Sequence, residues 1–214
     1  VKTLPEWQQA AHALFAELGE YWCTACGGIG DETMVNATGD SPEQQTCRTC
    51  HGTGRRELTP TFIAARLALI HLEISRAVDC VLKGELKFDW HADLRMPFLI
   101  DVGDSPAQIM AKGWKPSGFP PALATVFLRL CDLAEALGVG LPKMVDYPKE
   151  RVEGRDALLA ELQGLHWSLE HSDEPVERLC DFAFNLYIVA SATGVDLQAM
   201  ASLKLDWWMR QWTL

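Results

Sequence analysis

Residues 59–84 read TPTFIAARLALIHLEISRAVDCVLKG, and this stretch decides the fold class. Thr59 is a natural helix cap, and Pro60 suits the first helical position, where no amide hydrogen is needed. Apolar residues then recur at Ile63, Leu67, Ile70, Ile74 and Val78, the spacing of one helix face. The pattern predicts a helix from Pro60 to about Leu82, and Gly84 ends it.

The flanking segments follow the same period. Toward the N-terminus, Pro5 to Trp22 carries Trp7, Ala11, Leu14, Phe15, Leu18 and Trp22 at helical spacing. Downstream, Phe88, Trp90, Met96, Phe98, Leu99 and Ile100 suggest a loop pinned to the core by aromatics over 84–118, with a short helix from Ser105-Pro106 to about Lys112. Pro120-Pro121 opens a long helix ending at Gly138, Gly154 to His171 forms another, and Glu174-Pro175 opens one ending at Gly194. Asp196 caps the last, which reaches about Trp212. Outside residues 23–56 no segment alternates with period two. An all-α fold is expected.

Two of these helices echo each other. Residues 122–141 read ALATVFLRLCDLAEALGVGL and residues 178–197 read RLCDFAFNLYIVASATGVDL, both closing on Gly-Val-x-Leu. Each follows another amphipathic helix, so two helix–loop–helix units are expected to pack as a bundle with a pseudo-twofold axis. The expected divisions are an N-terminal helix at 1–22, an insert at 23–56, a first unit at 57–148 and a second, weaker one at 149–214.

The insert carries CTACGGIG from Cys23 and CRTCHGTG from Cys47. Two thiolates two residues apart bite one metal from a tight turn, and two such turns complete a closed tetrahedral zinc shell. Gly27, Gly28, Gly30, Gly52 and Gly54 permit the positive φ values that such turns need. Cys23, Cys26, Cys47 and Cys50 are therefore the expected zinc ligands, on a small β-hairpin, with a structural role. His51 follows directly but is not needed to complete the set.

Composition bounds the rest. The chain has 214 residues and a formal net charge of -10. An acidic surface repels phosphate backbones, and the densest basic run, Arg48 to Arg56, is too small to make a nucleic-acid site. No run approaches the ~18 apolar residues of a membrane span, and the N-terminus shows no secretory pattern. Of the seven cysteines, Cys80, Cys131 and Cys180 stand alone in apolar helical runs and read as core residues. Free thiols beside a metal-type tetrad suit a reducing compartment, so a cytoplasmic location is expected. None of the six histidines sits at i, i+4 from another, and no P-loop pattern occurs. Trp207, Trp208 and Trp212 read as a cap on the core or a partner surface.

Both cysteine motifs match Cys-x-x-Cys-x-Gly-x-Gly, so the insert resembles half of a DnaJ-type zinc-binding region. No His-Pro-Asp signature accompanies it, so only the zinc fold carries over. The helical body resembles a second family. LALIHLEISRAVDCVLKGE from Leu67 and KPSGFPPALATVFLRLCDLAEALGVGL from Lys115 are similar to the MazG-like, all-α nucleoside triphosphate pyrophosphohydrolases. That family has a first helix with Glu-x-x-Glu, a Lys-Pro-x-Gly-Phe loop, a second helix reading Glu-Leu-Ala-Asp, and an Arg-x-x-Asp-Leu run ending in Gly-x-x-Leu. The likeness spans roughly 60–148 and, more weakly, the last sixty residues. It implies a bundle of two MazG-like helix-pair units, with four carboxylates on facing helices holding Mg²⁺ for hydrolysis between the α and β phosphates.

The sequence departs from the family at those carboxylates. Glu73 matches the first, but Arg76, Ala122 and Thr125 stand where the other three belong. Arg76 lies one turn from Glu73 and is expected to pair with it. Asp132, seven residues after Thr125, is a candidate to supply one oxygen. In the second unit Glu161 and Asp181 are the remnant positions, beside Gly164 and Arg178. Glu73 and Asp132 are thus the candidate catalytic residues, and Mg²⁺ the metal the resemblance would call for. Three readings follow: a degenerate family member acting in nucleotide binding, regulation or assembly; a working pyrophosphohydrolase; or a zinc-bearing protein-interaction module. Expected partners are a nucleotide and a protein partner or second copy of the chain.

Overall fold

The computed structural model describes residues 2–17, 21, 31–34, 43–46, 58–92, 103–112, 114–143, 152, 154–170 and 175–212. Seven helices occur among them: α1 (Leu4–Glu17), α2 (Pro60–Lys83), α3 (Pro106–Ala111), α4 (Phe119–Ala136), α5 (Arg155–Glu170), α6 (Pro175–Thr193) and α7 (Leu197–Trp212). Two short antiparallel ribbons accompany them. β1 (Asp31–Met34) pairs with β2 (Glu43–Thr46), and β3 (Asp89–Ala92) pairs with β4 (Trp114–Ser117). The protein is predominantly α-helical, as its periodicity implied. Among the described residues no single helix is long and apolar enough to cross a membrane.

The helix starts follow from local chemistry. The Thr59 hydroxyl accepts the Phe62 amide at 3.2 Å, with Pro60 at the first position of α2. Ser105 and Gln108 close a reciprocal capping box at α3. The Asp196 carboxylate accepts the Ala199 amide at 2.9 Å at α7. The two echoing helices close identically. Gly138 and Gly194 take φ of 67° and 69°, and the amides of Val139 and Val195 reach back to the carbonyls of Ala134 and Ala190 at 2.8 and 2.9 Å. The shared Gly-Val wording is thus the residue pattern of a left-handed C-terminal closure.

α4 is the centre of the molecule. Thirteen of its residues, including Leu123, Val126, Phe127, Leu130, Cys131 and Leu133, are buried. A helix that is apolar nearly all round must be covered on every side. α1, α2, α6 and α7 all pack on it. α5 lies outside, against α2 and α6. At the α2–α5 contact His71 and His166 stack in parallel, with Nδ1 atoms 2.8 Å apart. Burial and the neighbouring His71 hold the His166 imidazole below its ordinary pKa.

Three details differ from the sequence reading. The first helix is described over Leu4–Glu17, and Tyr21 sits in a turn rather than in a helix, its side chain entering the core. The buried face of α2 is rotated: Arg66, Ile70, Glu73, Ile74, Ala77 and Val81 point inward, whereas Ile63, Leu67 and Val78 are only half-buried. Two polar residues on the inward face had disguised it. Third, the stretch expected to be loop contains the β3–β4 ribbon, in register Trp90↔Pro116 and His91↔Lys115. Pro116 argued against a strand, but a two-stranded ribbon has open edges that tolerate proline. Phe88 stacks edge-on against Trp90 and stays exposed rather than pinning the segment to the core.

The ribbon delivers the chain to α4 through one glycine. Gly118 has φ 92°, and a Cβ placed there would lie 2.2 Å from the Lys87 carbonyl oxygen. The next amide, that of Phe119, donates to the Glu85 carbonyl at 2.9 Å. Gly118→Ala must therefore displace backbone as well as adopt a disfavoured φ, and should cost on the order of 3 kcal/mol or more. Gly84, with φ 79° and open space around it, is the control. Gly84→Ala should cost only about 1–2 kcal/mol. Urea unfolding of the two variants checks the difference.

Candidate functional site

The rotated face of α2 places Glu73 beside a cleft of about 530 Å³ formed with β4, the first turns of α4, and α7. Glu73, Arg76, Ala122 and Thr125 all line this cleft. Glu73 is buried, and Arg76 donates to its Oε1 at 2.6 Å. The expected ion pair is therefore present. The Thr125 hydroxyl donates to the Pro121 carbonyl one turn back, at 2.9 Å. Asp79 also lines the cleft. It is paired at 2.5 Å with Lys83.

Opposite Glu73 stand Lys115 from β4 and Lys204 from α7. Lys204 donates to the Pro116 carbonyl at 3.4 Å, and its ammonium lies 5.3 Å from the centre of the Trp207 ring. Burial, partly countered by Glu73, pulls its pKa down to about 8. Sequence reasoning missed Lys204, although a signal existed. It falls on the inward stripe Ala201, Leu205 and Trp208 of α7, where a lysine is out of place.

Asp132 belongs to different surroundings. It is 1% exposed, in the middle of the core, and does not line the cleft. Tyr21 donates its hydroxyl to Oδ1 at 2.7 Å, His12 Nδ1 lies 3.1 Å from the same oxygen, and Arg66 Nη1 is 4.0 Å from Oδ2. The Arg66 guanidinium in turn covers the rings of Tyr21 and Phe62 at 4.4 and 4.9 Å. Burial raises the Asp132 carboxyl above its ordinary range, and Tyr21, Arg66 and His12 partly offset that. Burial and the Asp132 charge drive the Tyr21 phenol far above its ordinary value. This is a packing network between α1, the following turn, α2 and α4, and the candidate role of Asp132 as a metal oxygen is not what its contacts serve. No pattern in the chain joined Tyr21 and Arg66 to Asp132, since the link is made only by folding.

The remaining candidates fall as follows. Glu161 is half-buried on α5 and Asp181 exposed on α6. Among the described residues, no three His, Cys, Asp or Glu side chains converge as a metal site would require. Cys23, Cys26, Cys47, Cys50 and His51 lie outside the described residues. The cleft does not suit Mg²⁺. A hard dication needs several oxygens, whereas the cleft offers two carboxylates already held by cations, Glu73 by Arg76 and Asp79 by Lys83, and a Thr125 hydroxyl committed to the backbone, with two lysines beside them. Cys131 is fully buried and Cys80 and Cys180 half-buried, all as free thiols.

Asp132→Ala leaves Arg66 and Tyr21 buried without their anion, and should cost about 3–5 kcal/mol. Tyr21→Phe should cost about 1–2 kcal/mol. The two losses should be less than additive in a double-mutant cycle followed by urea unfolding, since both remove the same contact. In comparison with known proteins, the chain matches no protein-family model, no curated protein and no solved structure.

Proposed function

We propose that this chain is a MazG-like relative of the nucleotide pyrophosphohydrolases whose metal site is degenerate, and that it acts by binding a nucleotide, in regulation or assembly, rather than by hydrolysing it. One observation carries this reading. The four positions at which the resemblance calls for carboxylates come from two helices far apart in sequence, yet all four line one cleft. Only Glu73 keeps its carboxylate there, and Arg76 occupies it. The cleft volume is in the range of small-molecule sites.

The enzyme reading predicts pyrophosphate release from NTPs or dNTPs with Mg²⁺ or Mn²⁺. The degenerate reading expects release near background. Arg76→Glu, Ala122→Glu and Thr125→Asp introduced together should create metal binding between α2 and α4, while any one alone should do little. Turnover by the unmodified protein near ~1 s⁻¹ or above, abolished in Glu73→Ala, would replace the degenerate reading with the enzyme one.

The zinc site is part of the same proposal. Its ligands are Cys23, Cys26, Cys47 and Cys50, its role is structural, and it suits a reducing, cytoplasmic compartment. The β1–β2 register supports it, because Asp31 pairs with Thr46. The first cysteine pair ends shortly before that rung and the second begins just after it. Metal analysis of protein prepared without chelator should find one zinc per chain. Cys47→Ser should lose it while helical content, held by the α4-centred core, persists. Absence of zinc in the parent protein would refute the site.

A further inference from the structure

We propose that the α2–α4–α7 cleft takes the phosphates of a nucleoside phosphate without a divalent cation, Lys204 and Lys115 supplying the positive charge and Trp207 the ring that faces the base. This rests on the nucleotide-binding reading and goes beyond it by removing the metal.

The charge pattern of the cleft carries the inference. Two carboxylates line it, and each has a cation of its own: Glu73 has Arg76, and Asp79 has Lys83. Lys115 and Lys204 remain as cations with no ion pair among the described residues. In a chain of net charge -10, that is a local surplus of positive charge held inside a concavity. An enclosed ammonium has lost most of its water, and Lys204 has gained one long contact to a carbonyl in return. An entering anion restores what burial removed, with a charge-assisted bond.

The first turn of α4 offers no backbone amide to that anion. The first turn of α4 has Pro120 and Pro121, which lack N–H groups, and the amides of Phe119 and Ala122 are already bonded to Glu85 and Gly118. Side chains must therefore do the holding. Trp207 is half-buried at the cleft with Lys204 against its ring, whereas Trp208 is committed edge-on to Phe15. An aromatic base beside a phosphate fits that arrangement.

The test is calorimetric titration of the full chain with the ribonucleoside and deoxyribonucleoside triphosphates. Each is run in buffer freed of divalent ions by resin before the protein is added, and again with excess Mg²⁺. Inorganic pyrophosphate and the unphosphorylated nucleoside are run alongside. At least one triphosphate should bind without metal, more tightly than either fragment, and Mg²⁺ should not tighten it. Lys204→Met and Lys115→Met should each weaken it about tenfold or more. Lys204 faces Glu73, Arg76 and Cys80 from α2 and Lys115 from β4. Its ammonium is charged below about pH 8 and neutral above, so affinity should fall as pH rises through that value, and Lys204→Met should remove the step. Lys115→Met, on β4 rather than on a bundle helix, guards against a folding defect in the α7 variant. Binding that requires Mg²⁺ overturns this inference and leaves the nucleotide-binding reading standing. Metal-free binding unaffected by both lysine variants places the ligand elsewhere and overturns it too. No binding under either condition removes both.

Discussion

The structure depends on the burial of α4. A helix with apolar residues on almost every side cannot rest on a surface, so each neighbour must present an apolar face to it. α1 brings Trp7, Leu14 and Phe15, α2 brings Ile70, Ile74 and Ala77, and α7 brings Ala201 and Leu205. Each large side chain so enclosed contributes about 1.5–3 kcal/mol. α5 completes the arrangement at second hand, by covering α2 and α6.

One charge in that core selects the arrangement. Asp132 cannot stay buried without partners, and they come from three other segments: Tyr21 and His12 meet Oδ1, while Arg66 stands 4.0 Å from Oδ2. Tyr21 lies just before the insert and Phe62 and Arg66 shortly after its end, and the Arg66 guanidinium covers both rings, which meet at a tilt of 57°. The described residues on either side of that segment, Tyr21 before it and Phe62 and Arg66 after it, thus meet in a single clamp on α4. Such a network adds little net stability relative to a well-packed apolar core. Its effect is specificity, since a different docking of α1 or α2 would leave the carboxylate or the guanidinium without a partner.

The cleft at the other end of α4 follows opposite electrostatics. There the carboxylates are matched and, among the described residues, two cations are left over. A Mg²⁺ site concentrates negative oxygen to attract a cation, whereas this cleft concentrates positive nitrogen. The Glu73–Arg76 pair marks the reversal. It keeps the Glu73 carboxylate from presenting its charge to a ligand, as Lys83 does for Asp79. The same concavity can therefore suit a phosphate while being unsuited to the metal that the resemblance implied.

Local physics was legible before the structure. Helix period, proline at first turns, hydroxyl and carboxylate caps and the Gly-Val closures placed the helical segments, because each depends on residues within a turn of one another. The Glu73–Arg76 pair was legible for the same reason, lying one turn apart on one helix. Four features needed tertiary structure: the rotation of α2 that buries Arg66 and Glu73, the clamp of Tyr21 and His12 on Asp132, the β3–β4 ribbon with its glycine against the Lys87 carbonyl, and the arrival of Lys204 opposite Glu73. Each joins residues tens of positions apart. Which face of a helix turns inward, and which buried charge meets which, is set by the shape of the neighbours, and periodicity within one segment carries no record of them.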